Sequence, residues 1–346
     1  MSEPILSIKD LVTEFSTPDG TVNAVDHVSY DVYPGETLGV VGESGSGKSV
    51  TVMSVLGLIP QPPGNIAGGE ILFEGRDLLK LSASQMRKIR GSDISMIFQD
   101  PMTSLNPVIK VGHQIAEAMQ VHRKLTDDVA RKEAIELLQL VGVPNAEDRY
   151  SQYPHEYSGG MRQRAMIAMA MANKPKLLIA DEPTTALDVT IQAQVLDVLT
   201  TAKEEANAAT ILITHDLGLV AEMADRVVVM YGGRVVETGD VDTIFHEPRH
   251  PYTLGLISSL PRLDQDLDRL VPIKGQPPSL INLPSGCAFH PRCSLRQGRE
   301  LCYQERPELT EVGSAHKSAC HFTEEMHEQI EVVEEQLGAT IEGDDE

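Results

Sequence analysis

The stretch Gly42-Glu43-Ser44-Gly45-Ser46-Gly47-Lys48-Ser49 follows the apolar run 38–41 and decides how the rest of the chain is interpreted. Gly42 and Gly47, with four residues between them and Lys48 and Ser49 directly after, form a phosphate-loop pattern. Glycine lets the backbone turn tightly and aim its N–H groups at phosphate oxygens, and the N-terminus of the following helix adds about half a positive charge. The pattern predicts binding of a nucleoside triphosphate, and a glycine-rich turn without a ligand is the alternative.

The residues of this loop have separate expected roles. The Lys48 side chain is expected to reach the β- and γ-phosphates, and the Ser49 hydroxyl to hold Mg²⁺. The positions expected to contact the nucleotide are Gly42, Ser44, Gly45, Ser46, Gly47, Lys48, Ser49 and Val50. A phosphate loop alone serves kinases, GTPases, helicases and transporters, so residues further along the chain must distinguish these classes.

The composition is strongly acidic. The 346 residues include 51 acidic and 29 basic side chains, which gives a net charge of −22. This imbalance argues against nucleic acid as a partner, because basic patches bind phosphate backbones, and it is typical of a halophile. The sequence has neither an apolar run long enough for a membrane span nor the layout of a secretion signal, which predicts a soluble protein in the cytoplasm.

The order of the predicted elements is that of an α/β protein with a parallel sheet covered by helices. Residues 5–33 are predicted to form strands joined by a turn at Thr17-Pro18-Asp19-Gly20. Ligands bind at the carboxyl ends of parallel strands, where the phosphate loop, Asp181, Glu182 and His215 are expected to lie. Further strands are predicted at 70–74, 94–98, 176–180, 210–214 and 226–231, and helices at 50–58, 112–141, 160–172, 189–206 and 217–224.

Further motifs distinguish the class of nucleotide-binding protein. Ser158-Gly159-Gly160-Met161-Arg162-Gln163 precedes Leu177-Leu178-Ile179-Ala180-Asp181-Glu182, which is followed by Ala186-Leu187-Asp188 and Thr214-His215-Asp216. In this order and spacing they resemble the nucleotide-binding subunit of ATP-binding cassette (ABC) transporters. With Phe98-Gln99-Asp100-Pro101 and Ser104-Leu105-Asn106-Pro107, the resemblance is to the ATPases of the oligopeptide/dipeptide/nickel importer family, over nearly the whole chain.

The resemblance implies a P-loop ABC-type domain with a RecA-like core, an antiparallel β subdomain and a helical subdomain. We expect this domain at residues 1–255, with its helical subdomain at about 101–173. A Pro-rich C-terminal extension, 256–346, then carries four cysteines and an acidic tail. Two interpretations of that tail are left open. Met326, Ile330, Val333 and Leu337 recur at helical spacing, which predicts an amphipathic helix that docks on a partner. The many carboxylates of the tail predict a solvated segment instead.

The resemblance also assigns roles in ATP binding and hydrolysis. Asp181 would hold Mg²⁺ through water, and Glu182 would polarise the water that attacks the γ-phosphorus. His215 would bond the γ-phosphate and orient Glu182, while Gln99 would sense Mg²⁺ and the attacking water. Phe15 would stack on adenine, with a core phenylalanine as the rival interpretation.

The Ser158-Gly159-Gly160 element is the one specific to this family. Its hydroxyl and backbone N–H groups, at the start of a helix, form a second phosphate-binding end, and Asp188 is expected near the nucleotide as well. One molecule cannot turn both ends onto one nucleotide, so family members sandwich ATP between two cassettes. The expected partners are a second homologous ATPase in a heterodimer, two transmembrane permease subunits and an extracellular solute-binding protein.

Four cysteines form a separate group in the extension. Cys287, Cys293, Cys302 and Cys320 are separated by gaps of five, eight and seventeen residues, which are too wide for the hooks of common structural zinc sites. The resemblance implies a 4Fe–4S cluster, for which four thiolates supply the ligands. Zinc and unliganded thiols are the alternatives. A structural role is expected, because the group is remote in sequence from every ATP motif.

These features predict an ATP-hydrolysing subunit of an ABC importer on the cytoplasmic face of the membrane, energising uptake of di- or oligopeptides or a related solute. A soluble ABC-type ATPase acting on DNA or ribosomes is the first alternative, although such proteins usually carry coiled-coil insertions, zinc modules or two cassettes. A regulatory protein that binds ATP without turnover is the second, and it would lack Glu182 or His215. The sequence does not specify whether the solute is a peptide, nickel or an oligosaccharide.

Overall fold

The computed structural model describes residues 3–100, 104–185, 188–259, 273–296, 298–326 and 330. These residues form an α/β fold with one antiparallel sheet and one larger, mostly parallel sheet. The fold class predicted from the sequence is confirmed. The motif residues Pro101, Ala186 and Leu187 lie outside the described residues, as does most of the acidic tail, although Met326 is described and fully buried.

The antiparallel sheet has the strand order β2-β1-β4-β5. Its strands are β1 (Leu6–Thr17), β2 (Gly20–Val32), β4 (Gly64–Phe73) and β5 (Arg76–Asp77). The predicted turn joins β1 to β2 as expected. Along β2, Val28, Tyr30 and Val32 are buried while Ser29 is exposed, which is the alternation of a strand with one face on the core.

The larger sheet has the order β11-β12-β10-β9-β3-β8-β7-β6. Strands β9, β3, β8, β7 and β6 are parallel, whereas β10, β12 and β11 pair antiparallel. The strands are β3 (Thr37–Val41), β6 (Ile94–Ile97), β7 (Leu177–Asp181), β8 (Ala209–Thr214), β9 (Arg226–Tyr231), β10 (Arg234–Asp240), β11 (Thr310–Gly313) and β12 (His316–Ser318).

Apolar side chains cover both faces of the parallel strands. In β7, Leu178 and Ala180 belong to a core cluster shared with the helices after β6, whereas Leu177 and Ile179 belong to the cluster shared with β1 and β2. Successive residues of a strand point to opposite faces, so a strand buried on both sides is a continuous apolar run. This burial is why the strand runs were recognisable in the sequence.

The helices cover the larger sheet and form a separate layer after β6. The predicted helical span 112–141 is in fact two helices, because Lys124 adopts a left-handed conformation with φ 52° and ends the first. The helices are α1 (Lys48–Val55), α2 (Ala83–Ile89), α3 (Val111–Arg123), α4 (Asp127–Leu140), α5 (Ala146–Arg149), α6 (Gly159–Met171), α7 (Val189–Ala206), α8 (Leu217–Met223), α9 (Val241–His246), α10 (Pro251–Ser258) and α11 (Leu301–Gln304).

The C-terminal extension continues the sheet of the preceding residues. Strand β12 pairs with β10, where Ser318 lies opposite Glu237. The fully buried Glu237 carboxylate accepts hydrogen bonds from His316 Nε2 at 2.8 Å and from the backbone N–H of His250 at 3.0 Å. The short strands β11 and β12 were not predicted from this Pro-rich sequence; they pair with each other, and β12 also pairs with β10, which lies far away in the chain. The division into residues 1–255 and 256–346 stays a prediction.

Candidate functional site

The phosphate loop connects the carboxyl end of β3 to the start of α1. All three of its glycines have positive φ: 148° at Gly42, 80° at Gly45 and 104° at Gly47. A Cβ atom at Gly42 would lie 2.2 Å from the Met230 carbonyl oxygen, and one at Gly47 would lie 2.4 Å from the Ala24 carbonyl oxygen. Both positions therefore require glycine for steric as well as conformational reasons.

The Lys48 ammonium group is buried against the loop. Its Nζ donates hydrogen bonds to the carbonyl oxygens of Gly42 and Glu43 at 2.7 and 2.9 Å. Burial lowers the pKa of Lys48, while the Glu182, Asp181 and Glu43 carboxylates raise it. The cation is held at the loop, where a phosphate group would replace its carbonyl partners.

Ser49 and Asp181 bring two oxygen ligands together. Ser49 Oγ donates a hydrogen bond of 2.9 Å to Asp181 Oδ1. Burial raises the pKa of Asp181, Glu182 raises it further, and Ser49 and Lys48 act in the opposite direction. A hydroxyl and a carboxylate are oxygen donors of the kind that Mg²⁺ binds. The donor set fits this ion.

The Glu182 carboxylate is held on two sides. Its Oε2 accepts hydrogen bonds from Gln99 Nε2 at 2.7 Å and from Thr185 Oγ1 at 2.9 Å. Its Oε1 lies 3.6 Å from His215 Nδ1. The backbone of Glu182 has φ 48°, a left-handed conformation that costs a non-glycine residue on the order of 1–3 kcal/mol. The surrounding structure thus imposes the position of this side chain.

These groups meet because the strands that carry them are neighbours. The phosphate loop follows β3, Gln99 follows β6, Asp181 ends β7 and His215 follows β8. The four strands are parallel and adjacent in the order β3-β8-β7-β6, so their carboxyl ends lie along one edge. The sequence-based expectation that these residues lie at one edge is confirmed.

Ser158 and Asp188 lie at the N-termini of the helices α6 and α7, which do not follow the phosphate loop directly. Ser158 Oγ accepts a 3.3 Å hydrogen bond from the Met161 N–H at the start of α6, and Asp188 Oδ1 accepts one of 3.0 Å from the Ile191 N–H in α7. A Cβ atom at Gly160 would lie 2.7 Å from Ile191 Cγ2, so the two helix starts are packed together. Within the described residues, no hydrogen bond joins Ser158, Gly159, Gly160 or Asp188 to the phosphate loop.

A cavity of about 330 Å³ lies beside the phosphate loop. Its walls include residues 43–46 of the loop, Val22 of β2 and residues 277–281 of the extension. Phe15 is the cross-strand partner of Val22 and is partly buried. Cross-strand partners lie side by side on one face of a sheet, so Phe15 adjoins this cavity without being among its lining residues. Val50 is in α1 and packs on the core.

The four cysteines converge on one small cavity. Its volume is about 20 Å³, and the four side chains are free thiols. Burial raises the pKa of Cys287 and Cys302, and raises that of Cys293 to about 11 and that of Cys320 to about 12. Within the described part of the chain, no three His, Cys, Asp or Glu side chains are close enough to share one metal ion.

The sequence interpretation missed two residues, Arg292 and Tyr252, that contact the loop residue Glu43. The guanidinium group of Arg292 donates to both carboxylate oxygens of Glu43, at 2.5 and 2.9 Å. The backbone N–H of Glu43 donates a 2.7 Å hydrogen bond to Tyr252 Oη. These partners are 249 and 209 residues from Glu43 in the chain, so local sequence carries no signal for the contacts.

Comparison with known proteins identifies the family. Residues 25–185 match the ABC transporter family, and residues 236–302 match the C-terminal region of oligopeptide/dipeptide transporters. The oligopeptide transport ATP-binding protein OppD of Bacillus subtilis (strain 168) is 53% identical over 90% of this chain and 87% of its own length. This chain belongs to the ABC transporter ATPases. Proteins of this family hydrolyse ATP coupled to transport.

Other ABC proteins extend the comparison. The dipeptide transport ATP-binding protein DppD of the same Bacillus subtilis strain is 50% identical over 94% of this chain and 97% of its own. Among solved structures, the cassette MJ0796 superimposes with a TM-score of 0.62 at 24% identity, over 68% of this chain and 98% of that one. CbiO1 of Clostridium perfringens gives a TM-score of 0.60 at 28% identity, over 71% and 92% of the two chains. In the described residues, no helix is both long and apolar enough to cross a membrane.

Proposed function

We propose that this ABC ATPase energises the import of dipeptides or oligopeptides. The observation that carries the proposal is the match of residues 236–302 to the C-terminal region of oligopeptide/dipeptide transporters. The names of the relatives support it, since proteins about half identical to this chain are an oligopeptide and a dipeptide transport ATP-binding protein. Nickel and oligosaccharides remain the competing solutes.

The proposed chemistry is attack of water on the γ-phosphorus, with Glu182 as the base. The hydrogen bonds from Gln99 and Thr185 fix Glu182 Oε2, and the other oxygen is on the side of His215. A base contributes about 10²- to 10⁴-fold to such a reaction when it is positioned correctly. His215 orients this carboxylate and can bond the γ-phosphate.

The bound nucleotide would be held by the phosphate loop. Lys48 would turn from the carbonyl oxygens of Gly42 and Glu43 to the β- and γ-phosphates. Ser49 and Asp181 would hold Mg²⁺, with Gln99 reaching it through water, and this ion neutralises charge on the phosphate oxygens. Phe15, beside the cavity next to the loop, would take the adenine ring.

A second cassette would complete the site. Ser158, Gly159, Gly160 and Asp188 make no hydrogen bond to the phosphate loop of their own chain within the described residues, which is expected if they act on a nucleotide held by a partner. ATP then adds affinity between the two chains, and its hydrolysis removes that affinity. We propose a second, similar ATPase as this partner. Co-expression of the two ATPases, with purification through a tag on one, tests for the heterodimer.

The membrane subunits would contact the segment around and after Gln99. Phe98, Val108 and Ile109 of this region are exposed apolar side chains, 41%, 77% and 37% accessible. Large apolar side chains in solvent are typical of interaction surfaces when they cluster in one segment. The chain would thus be peripheral, on the cytoplasmic face of the membrane, with two permease subunits and an extracellular solute-binding protein as partners.

Reconstitution tests the proposed function. The chain would be assembled in proteoliposomes with the permease subunits, the partner ATPase and the solute-binding protein. The expected result is ATP-dependent uptake of a labelled di- or oligopeptide, lost in the Glu182→Gln variant. Uptake of nickel but not of peptides would contradict the peptide substrate and assign nickel as the solute. Stimulation of the ATPase by DNA or ribosomes, without uptake of any solute, would support the soluble ATPase as the function instead.

We also propose that the four cysteines ligate a 4Fe–4S cluster. All four line one cavity, which supplies the four thiolates that such a cluster needs. The gaps of five, eight and seventeen residues between the cysteines are wider than the hooks of common structural zinc sites, which favours the cluster over zinc. Anaerobic purification should give a brown protein with absorbance near 400 nm, lost in Cys293→Ser. A colourless protein containing zinc would contradict the proposal.

A further inference from the structure

One residue of the phosphate loop, Glu43, is held at three points. Its carbonyl oxygen accepts from Lys48 Nζ at 2.9 Å, its N–H donates to Tyr252 Oη at 2.7 Å, and its carboxylate accepts both bonds of Arg292. The Lys48 contact comes from the loop itself, as does a 3.2 Å hydrogen bond from the Ser46 N–H to the same carbonyl oxygen. The other two come from residues within the match to the oligopeptide/dipeptide C-terminal region, 236–302.

Arg292 is well fixed for this contact. Its side chain is 4% exposed, and its Nε donates a 3.1 Å hydrogen bond to the Lys274 carbonyl oxygen. Its guanidinium carbon lies 5.9 Å from the ring centroids of both Tyr231 and Phe289. A two-pronged ion pair in a buried setting is stronger and more directional than an exposed one, so the pair fixes Glu43 in position as well as in charge.

Tyr252 is fixed by an aromatic cluster. The Tyr252 ring is fully buried, with its centroid 4.6 Å from that of Tyr231 and 5.3 Å from that of Phe289. Its backbone N–H donates to His250 Nδ1, which caps the helix α10. The hydroxyl that receives the Glu43 N–H is therefore not free to follow the loop if the loop changes shape.

We propose that Arg292 and Tyr252 are positioning residues that hold the phosphate loop in its nucleotide-binding shape through Glu43. The inference rests on the proposed function of residues 42–49 and adds that the C-terminal region sets nucleotide affinity. When Lys48 leaves the Glu43 carbonyl for a phosphate, the contacts with Tyr252 and Arg292 are the ones that still tie this part of the loop to residues outside it. Loss of these contacts weakens ATP binding more than it slows the chemical step.

The test compares matched arginine variants, with nucleotide binding measured on the chain alone and kcat measured on the chain co-purified with its partner ATPase. Arg292→Ala is expected to weaken binding of a fluorescent ATP analogue about tenfold, the usual effect of losing a hydrogen bond to a charged group, while kcat at saturating ATP changes less than twofold. Arg292→Lys keeps the positive charge but cannot make the two-pronged contact, so its affinity for the analogue should lie between those of wild type and Arg292→Ala. Arg306→Ala is the control, because Arg306 also joins the extension to an earlier strand, through Asp26 of β2 at 3.0 Å, outside the loop.

A second pair of variants and a double mutant separate positioning from stability. Tyr252→Phe removes the hydroxyl and should weaken analogue binding, whereas Tyr30→Phe removes a buried hydroxyl that has no partner and should not. Glu43→Gln combined with Arg292→Ala should bind no more weakly than either alone, because they break one contact. Equal affinity in wild type and Arg292→Ala, or equal loss in Arg292→Ala and Arg306→Ala, overturns the inference. A wild-type chain that binds no ATP analogue overturns the proposed function instead.

Discussion

Gln99 and Glu182, which follow neighbouring strands, are joined by a 2.7 Å hydrogen bond from the side-chain amide to Oε2. Because Thr185 donates to the same oxygen, the two donors restrain one side of the carboxylate and leave Oε1 on the side of His215. The two neutral donors thus fix the direction of this carboxylate. A fixed direction suits the proposed role of a base, which must point at the attacking water.

Glu182→Gln should abolish hydrolysis and preserve ATP binding. The amide cannot accept a proton from water, so the ATPase rate should fall at least about 100-fold, within the range for removal of a general base. Uncleaved ATP should hold two cassettes together, which size-exclusion chromatography with ATP detects. The control is Glu133→Gln, which breaks only the surface pair with Arg123. Undiminished turnover in Glu182→Gln would falsify the assignment of the base.

Asp181→Asn should stabilise the Mg²⁺-free protein and remove its response to the ion. Burial and Glu182 raise the pKa of Asp181, so this carboxyl adds stability below its ordinary pKa of 3.8, and that contribution is lost as the pH rises through the raised value. At neutral pH the variant should melt at a higher temperature than wild type without Mg²⁺. In the presence of ATP, adding Mg²⁺ should raise the melting temperature of wild type further but not that of the variant.

The variant Ser49→Ala serves as the companion to Asp181→Asn. It removes the hydroxyl that bonds Asp181 but leaves the buried carboxylate, so it should weaken Mg²⁺-dependent ATPase without stabilising the ion-free protein. The explanation is that burial of the Asp181 carboxylate destabilises the ion-free protein. A higher melting temperature in Ser49→Ala, or an unchanged one in Asp181→Asn, would contradict it.

Much of the site followed from local sequence. The loop at 42–49, Asp181 and His215 each follow an apolar strand, and strands buried on both faces are recognisable without any tertiary information. Because parallel strands place their carboxyl ends together, the convergence of these residues could be predicted as well.

The remaining features depend on contacts that no local pattern encodes. The surrounding structure imposes the left-handed backbone of Glu182. The two residues that contact Glu43, Tyr252 and Arg292, are more than 200 positions away from it in the chain. A structural role was expected of the cysteine group because it is remote in sequence from the ATP motifs, and that role stays a prediction. In the fold, Cys293 directly follows the arginine that binds Glu43, so distance along the chain does not mean distance in space.

The net charge of −22 should make stability depend on salt. Like charges repel over about 30 Å at 10 mM salt but over only about 3 Å at 1 M, so the folded state should loosen when salt is removed. The melting temperature should be lower in dilute buffer than in molar KCl, and an osmotically equivalent amount of sucrose should not substitute for the salt. The same melting temperature in both buffers would contradict this prediction and the halophile origin suggested by the composition.

His250 should make the fold sensitive to mild acid. Its ring is buried, which lowers its pKa from 6.5 to about 3, and its Nδ1 must stay unprotonated to accept the Tyr252 N–H. A depressed folded-state pKa means that the contribution of His250 is complete above the unfolded value of 6.5 and declines as the pH falls below it. Each pH unit in that window should remove up to about 1.4 kcal/mol of unfolding free energy.

The substitution His250→Asn isolates this effect. Asparagine is a favoured helix cap and can accept the same N–H, but it does not titrate, so urea unfolding at pH 7 and pH 5 should differ less than in wild type. His155→Asn, at an exposed position, should keep the wild-type difference. An unchanged pH dependence in His250→Asn would assign the acid sensitivity to other groups.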